Sequence, residues 1–340
     1  MTFVEKVKQA KAIRVTESLV SMSSSVKLPS YAGEKSGVKS DSSKFVTWNN
    51  NAVLDSVQSQ ANRIEAVFTQ YPELVPATQV VYPDTTVALV EVPHRAADPA
   101  ISYYFKQELD SLTSKPELLA KRAPTSFLFG LCDIRGGRNI RLTRAIASDV
   151  IVRNGTTRPS ASSLSTPFSN DVRADFAEKL SEHGLTGAEI GVEQIPSYSE
   201  RGTVDVSQAT IERTAVFSIE VFDRYKSNPV LHDYLVGLAL VALLAPTSSV
   251  LRSGTTLVRQ SRRVEVFTDL KPAEVVDEND LLSEVLEFAK AAAKKFGIGQ
   301  AETLNVDINA IIANAKTSSE TKKVVKAKKA PKKTPATAPA

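Results

Sequence analysis

Apolar residues recur at helical spacing in one stretch near the start of the chain. Leu54, Val57, Ala61, Ile64 and Phe68 follow one another at intervals of three and four residues. This spacing places all five on one face of a helix, so it predicts an amphipathic helix over 53–68.

Other stretches alternate, or are apolar throughout, and predict further elements. Strands are predicted over 12–20, 126–131 and 215–222, and a strand pair or one bent strand over 256–267. The patterns also predict a hairpin over 78–92 and another at Asn154-Gly155, a buried helix over 230–244, and an amphipathic helix over 281–296. Strands and helices mix with several hairpins, which favours an α+β fold over a doubly wound parallel sheet.

The net charge of the whole chain is a weak indication of function. The 340 residues carry 42 Lys+Arg against 38 Asp+Glu, a net charge of +4. The segment 321–340 contains seven lysines and no acidic residue, so the rest of the chain has slightly more acids than bases. The basic total therefore does not show that the folded part binds nucleic acid.

Enzyme and metal motifs are missing from the sequence. It has no GxxxxGK[ST] or GxSxG motif, and its three histidines form no HxxxH pattern, so we expect no catalytic residue, metal or cofactor. Cys132 is the only cysteine and is predicted to lie in the core. With no signal peptide and no apolar run long enough to span a bilayer, we expect a cytoplasmic protein with no membrane partner.

The predicted first helix has an unusual polar face. Four polar residues share one side of this helix, at positions i, i+3, i+4 and i+7: Ser56, Ser59, Gln60 and Arg63. Gln58 and Asn62 flank them, so the face carries hydroxyl, amide and guanidinium groups. These groups can donate hydrogen bonds to phosphates or sugars. The alternative is that this face packs on another element.

Two later segments are rich in arginine. Six arginines fall within 24 residues around Gly136-Gly137, namely Arg135, Arg138, Arg141, Arg144, Arg153 and Arg158. A second group, Arg252, Arg259, Arg262 and Arg263, follows the predicted buried helix. The guanidinium fork suits phosphate, although surface ion pairs would also account for these residues.

These segments, in this order, resemble a known family. Three blocks of the chain are similar to blocks of the CRISPR Cascade backbone subunit. The first is 53–65, the second is 127–131 with 141–148, and the third is 214–222 followed by 238–244 and 251–258. The similarity is greatest to the type I-G (formerly I-U) version of this RAMP-superfamily protein, and it extends over about 12–268.

The resemblance implies a fold and a domain plan. The fold would be a modified RRM or ferredoxin-like palm over 1–268, with inserted finger and thumb elements and a thumb near 151–205. The resemblance does not extend further; the pattern and composition of the remaining residues predict a C-terminal helical segment (269–318) and a disordered Lys/Ala/Pro-rich tail (319–340). RNA-binding RRM sheets usually carry exposed aromatic residues, and none stand out in these strands.

The resemblance also implies a non-catalytic function in antiviral defence. Copies would polymerise head to tail along a CRISPR guide RNA (crRNA), together with other Cascade subunits, and present it for pairing with target DNA. The residues expected to bind RNA are Ser56, Gln58, Ser59, Gln60, Asn62, Arg63, Arg138, Arg141, Arg144, Arg252 and Arg259.

Two alternatives remain open at this point. The first is a RAMP-type endoribonuclease that acts on target RNA, for which the loop before the first helix offers only Asp41 and Glu34. The second is an adaptor that binds nucleic acid only through its lysine tail.

Overall fold

A curled antiparallel sheet forms the centre of the molecule. The computed structural model describes residues 2–29, 47–134, 139–158, 178–184, 203–252, 254–268, 272–276 and 281–312. The strands of this sheet are β1 Ala12–Ser21, β3 Thr47–Trp48, β4 Asn51–Asp55, β9 Ile146–Arg153, β12 Thr210–Ser218, β13 Val250–Arg252, β14 Thr255–Phe267 and β15 Pro272–Val276. Their order is β13-β14-β1-β12-β9-β4-β3, and β15 pairs with β14.

Smaller sheets and short helices surround this centre. The remaining strands are β2 Ser25–Lys27, β5 Gln79–Val81, β6 Thr86–Ala88, β7 Leu131–Asp133, β8 Ile140–Leu142, β10 Thr156–Arg158, β11 Thr203–Asp205 and β16 Thr303–Asn305. The helices are α1 Phe3–Lys8, α2 Val57–Ala66, α3 Lys106–Asp110, α4 Pro116–Arg122, α5 Thr125–Phe129, α6 Pro229–Leu244 and α7 Leu281–Phe296. The chain is thus an α+β protein, as predicted.

The middle of the sheet is built around β1. Ile13 and Val15 alternate with more exposed residues and are fully buried, because β1 pairs antiparallel with β12 on one side and with β14 on the other. The pairing with β14 shifts by one residue after Ser18, where Gln260 is the extra residue of a bulge. The predicted strand over 12–20 is confirmed.

Two helices cover one face of these strands. In chain order the elements run β1, α2, β9, β12, α6, β14, and the corresponding strands lie side by side as β14-β1-β12-β9. α2 packs on β9, α6 packs on β12, and the two helices contact each other, so the main core lies between helices and sheet.

α2 begins later than its apolar spacing predicts. Residues 51–55 are extended because β4 pairs with β9, and Ser56 then caps the helix by accepting a hydrogen bond from the Ser59 amide at 3.3 Å. Ala61, Ile64 and Phe68 are buried as the apolar stripe requires. The predicted helix is confirmed over its second part, and its first residues form a strand instead.

α6 is buried along most of its length. Twelve of its 16 residues are buried, which confirms the prediction from its continuous apolar sequence. α7 packs directly against it, and a Cβ placed on Gly237 would lie 3.0 Å from the Cα of Ala289. The absence of a side chain at Gly237 therefore permits this close contact.

The C-terminal segment is joined to the same core. Val285, Ala289 and Ala293 of α7 and Leu304 of β16 belong to the main hydrophobic cluster. β16 pairs in parallel with β5, and the Arg122 guanidinium binds the Glu302 carboxylate at 2.6 Å. The domain boundaries given above stay predictions, and the tail over 319–340 lies outside the described residues.

The predicted strand over 126–131 is wrong. Residues Thr125–Phe129 form α5, Gly130 follows with φ of +82°, and only then does β7 begin. A short apolar run without alternation does not distinguish a buried helix from a buried strand. Cys132 is exposed rather than in the core, because it is the outward-facing residue of β7, between the buried Leu131 and Asp133.

Asn154-Gly155 does not form a two-strand hairpin. β9 pairs with β12 and β4, whereas β10 leaves the main sheet to pair with β11. Asn154 takes the left-handed conformation with φ of 58°, and a Cβ on Gly155 would lie 2.4 Å from the Val204 side chain. The pair therefore forms a corner between two sheets. Much of the predicted thumb over 151–205 lies outside the described residues.

Within the described residues, no helix has both the length and the apolar character needed to cross a membrane.

Candidate nucleic-acid interface

The polar face of α2 divides into an outer and an inner part. Gln58 is exposed, and Ser56, Ser59, Asn62 and Arg63 are partly exposed. The Gln58 amide lies 3.4 Å from the Asn62 side-chain oxygen. These residues form the surface that the helical spacing predicted.

Gln60 belongs to the interior. It is only 2% exposed, its Nε2 donates to Asp55 Oδ2 at 2.6 Å, and its Oε1 accepts from Ser148 Oγ at 3.2 Å. Its expected place on an exposed guide-binding face is corrected here, because β4 and β9 bring Asp55 and Ser148 to that side of the helix.

Arg63 connects α2 to the third of the sequence segments. Its Nε donates to Asp55 Oδ2 at 3.0 Å, and its terminal nitrogens donate to the carbonyls of Val250 and Leu251. About a quarter of the side chain remains exposed.

Arg252 lies on the other side of the same carboxylate. It donates to the Lys27 carbonyl at 2.9 Å and to the Leu54 carbonyl, and it lies 3.8 Å from Asp55 Oδ1. The Asp55 carboxylate therefore lies between the guanidinium groups of Arg63 and Arg252, and its side chain is only 2% exposed.

Arg144 brings the second sequence segment to α2. Its guanidinium donates to Gln58 Oε1 at 2.8 Å and to the Phe129 carbonyl at 3.2 Å. Burial, and secondarily the charge of Arg95, lower the pKa of Arg144, but an arginine stays protonated at any physiological pH. Parts of all three segments therefore meet around α2.

Other predicted residues lie elsewhere. Arg141 is exposed on β8 and lines a separate cleft of about 940 Å³ with Arg224 and Asn228. Arg259 lies on β14 and donates to Glu17 Oε1 of β1 at 3.2 Å. Arg138, together with Asp41 and Glu34, lies outside the described residues.

A buried group of charged residues was missed by the sequence analysis. Glu17, 5% exposed, accepts hydrogen bonds from Arg213 at 2.7 Å, Arg262 at 2.8 Å and Arg259 at 3.2 Å. The Nε of Arg213 also donates to Ser148 Oγ at 3.3 Å. We call the connected set the polar layer: it comprises Glu17, Asp55, Gln60, Arg63, Ser148, Arg213, Arg252, Arg259 and Arg262.

The polar layer separates two hydrophobic clusters. On β1, for example, Val15 belongs to the main cluster and Leu19 packs against the smaller one, with Glu17 between them. The layer contains five guanidinium groups and two carboxylates, so it has an excess of positive charge. This excess opens to solvent at Arg63, Arg252 and Arg259, which are partly exposed.

The charges in the layer shift each other's ionisation. Burial would raise the pKa of Glu17, but the charges of Arg213 and Arg262 and the hydrogen bonds from Arg262 and Arg259 together hold it below its ordinary value. Burial lowers the pKa of Arg213, partly offset by Glu17. Glu17 is therefore charged at neutral pH, and Arg213 is charged because an arginine stays protonated at any physiological pH.

A signal for this layer exists in the sequence. Glu17 occupies the inward position of a strand that alternates Ile13, Val15, Glu17 and Leu19. Arg213 does the same between Ile211 and Ala215. Opposite charges at inward strand positions indicate buried ion pairs, although they do not reveal which strands lie side by side.

The outer surface of α2 presents donors suited to a sugar-phosphate backbone. Amides of Gln58 and Asn62, hydroxyls of Ser56 and Ser59, and guanidinium groups beside them can contact phosphates and ribose without reading bases. Among the described residues, no group of three or more His, Cys, Asp or Glu side chains is placed to hold a metal ion.

Comparison with known families finds one match in the first half of the chain. Residues 21–155 match the sequence model of a CRISPR-associated family. The family is described as CRISPR-associated protein GSU0053 (Cas_GSU0053). The matched range contains Asp55, α2 and Arg144. The match supports the CRISPR-associated part of the resemblance found in the sequence, and the backbone-subunit role and the type I-G assignment stay predictions.

Two solved structures have a distant likeness to the chain. The crystal structure of Thermofilum pendens Csc2 is 12% identical, covers 94% of this chain and 90% of its own, and has a TM-score of 0.33. A chain from a structure titled CRISPR RNA-guided surveillance complex, pre-nicking, is 11% identical, covers 89% of this chain and 99% of its own, and has a TM-score of 0.35. At these TM-scores neither carries an argument. No curated protein matches the chain.

Proposed function

We propose that this chain is the non-catalytic crRNA-binding backbone subunit of a type I-G Cascade interference complex. Copies bind one guide RNA head to tail, alongside other Cascade subunits, and present it for pairing with target DNA. The observation that carries the proposal is the meeting of the three sequence segments at α2, within a chain that matches a CRISPR-associated family.

The strand order supports an RRM-like or ferredoxin-like palm. β1, α2, β9, β12, α6 and β14 follow the β-α-β-β-α-β sequence of that fold, with all four strands antiparallel. The surface proposed for RNA lies on the helix side, at α2, rather than on the open side of the sheet.

The chemistry of this surface fits a guide of any sequence. A subunit that serves many guides has to contact the backbone, because base contacts would restrict the sequence. Serine, amide and arginine donors on a rigid helix meet this requirement, while pairing between guide and target reads the sequence.

RNA binding should depend on Arg144 and much less on a matched arginine elsewhere. Arg144→Gln should weaken binding of guide-length RNA about tenfold or more, because a charge-assisted hydrogen bond contributes about 1.5–3 kcal/mol. The slope of log affinity against log salt should fall by about 0.7, as expected when one phosphate contact to a single strand is lost. Fluorescence anisotropy with two unrelated RNA sequences measures both quantities.

Arg153→Gln is the matched control. Arg153 lies on β9, is 46% exposed, and points to the opposite side of the sheet from α2. We expect at most a small change from it. Equal effects of the two substitutions, or strong preference for one RNA sequence, would contradict the proposed surface.

Assembly on RNA and the absence of catalysis need separate tests. Sedimentation with guides of increasing length should show multimers that grow with guide length, whereas a monomer at every length would contradict assembly. Paired RNA should stay intact with divalent metal, and cleavage abolished by Asp41→Ala would favour the endoribonuclease.

The lysine tail can be tested by shortening the chain. A protein that ends at Ser318 should keep most of its guide binding, because the proposed surface lies at α2. Loss of all binding in a folded protein would favour the adaptor that binds only through its tail.

A further inference from the structure

Asp55 is the point at which the two arginines next to α2 meet. Its buried carboxylate accepts from Arg63 Nε at 3.0 Å through Oδ2 and lies 3.8 Å from Arg252 through Oδ1. An aspartate with 2% exposure cannot itself contact RNA. Any effect of Asp55 on binding must therefore act through these arginines.

The position of Asp55 is fixed from behind by the polar layer. Gln60 donates to Asp55 at 2.6 Å, and Ser148 holds Gln60 at 3.2 Å. Arg213 in turn donates to Ser148 at 3.3 Å and pairs with Glu17 at 2.7 Å. Contacts from β4, β9, β12 and β1 thus determine where the carboxylate lies.

The two arginines also hold the start of β13. Arg63 donates to the carbonyls of Val250 and Leu251, and Arg252 donates to those of Lys27 and Leu54. Because Asp55 lies between the two guanidinium groups, it offsets the repulsion of two like charges close together. Without Asp55, the repulsion between the two guanidinium groups would favour conformations in which they move apart into solvent.

We infer that Asp55 is a positioning residue of the RNA-binding surface: its carboxylate keeps Arg63 and Arg252 as a fixed pair at the junction of α2 and β13, where the guide backbone binds. This inference rests on the proposed function. It assigns to the polar layer a role in binding as well as in folding.

Positioning and simple charge predict opposite results at this residue. Asp55→Asn removes a negative charge near the RNA, which by electrostatics alone should strengthen binding. If Asp55 positions the arginine pair, the same change should weaken binding, because the pair loses its fixed geometry. The sign of the change in affinity therefore distinguishes the two roles.

The experiment compares Asp55→Asn with Asp149→Asn, using guide-length RNA. Asp149 lies half-buried on β9 and faces the opposite side of the sheet, so its substitution changes the charge equally without touching the pair. We expect about tenfold weaker binding for Asp55→Asn, the loss for one misplaced charge-assisted hydrogen bond, and unchanged or slightly tighter binding for Asp149→Asn. Unchanged or tighter binding by Asp55→Asn would overturn the inference.

Two further measurements keep the test decisive. Gln60→Leu removes the anchor of Asp55 without changing charge, and it should weaken binding in the same direction even if Asp55→Asn fails to fold; unchanged affinity would count against positioning. Hydrogen exchange without RNA should show faster exchange of the amides over 250–257 in Asp55→Asn while the amides of β12 stay protected.

The exchange measurement separates this inference from the proposed function. If the wild-type protein binds no RNA, the proposed function fails, whereas faster exchange over 250–257 still shows that Asp55 holds this segment. If RNA binds but neither exchange nor affinity responds to Asp55→Asn, only the inference fails.

Discussion

Glu17 is the residue whose substitution should affect folding most directly. Its carboxylate is 5% exposed and accepts hydrogen bonds from three arginines, Arg213, Arg259 and Arg262, at 2.7–3.2 Å. Glu17→Gln keeps the shape of the side chain and removes its charge. Three guanidinium groups would then surround an amide that accepts weakly and turns a donor toward one of them.

The expected loss of stability is large. Removing one partner of a buried ion pair costs about 3–5 kcal/mol, because the remaining charge stays buried without compensation. A single domain is stable by about 5–15 kcal/mol, so this loss is a substantial fraction of the total. Urea denaturation of wild type and Glu17→Gln, followed by circular dichroism, gives the difference directly.

The effect should also depend on pH. The pKa of Glu17 lies below its ordinary value of 4.5, so its contribution is present above 4.5 and is lost as pH falls through the lower, folded-state value. The difference between wild type and Glu17→Gln should therefore be full at pH 7 and shrink in acid.

Glu212→Gln is the control for this prediction. Glu212 lies on β12 opposite Ser18, and its carboxylate is 36% exposed with Arg153 at 3.7 Å. An exposed pair of this kind contributes about 0–1 kcal/mol. If Glu17→Gln were as mild as Glu212→Gln, the buried ion cluster would not stabilise the fold as reasoned.

Three further substitutions test other contacts. Gly237→Val should destabilise by about 1–3 kcal/mol, because a larger side chain would push α7 away at Ala289; an unchanged urea midpoint would contradict this contact. Burial, despite the charge of Arg95, raises the pKa of Glu65 to about 7, so its stabilising contribution is full below 4.5 and is lost as pH rises through 7. Glu65→Gln should remove that decline in the free energy of unfolding, and identical pH profiles would refute it. Gly155→Ala should lower the melting temperature, since its Cβ would overlap a neighbouring side chain; no shift would show that the corner adjusts easily.

Local sequence was sufficient for elements whose pattern is long and regular. The alternation over 12–20 predicted a strand because its nine residues repeat with the period of a strand. The continuous apolar run over 230–244 predicted a helix because it is longer than a buried strand usually is. The short run over 126–131 was too brief for this, and helix α5 forms there. Asn154-Gly155 shows the same limit, since a turn pair fixes local conformation but not which strand follows.

The candidate site combines features that the sequence predicts with features that depend on tertiary contacts. The sequence by itself determined that α2 has an apolar stripe and a polar face rich in donors, and that arginine segments recur later in the chain. Only the tertiary structure decided that Gln60 faces inward while Gln58 faces outward. It also decided that Asp55 lies between Arg63 and Arg252. The physical reason is that helical periodicity orders residues along one element, whereas burial and pairing depend on side chains from strands distant in sequence.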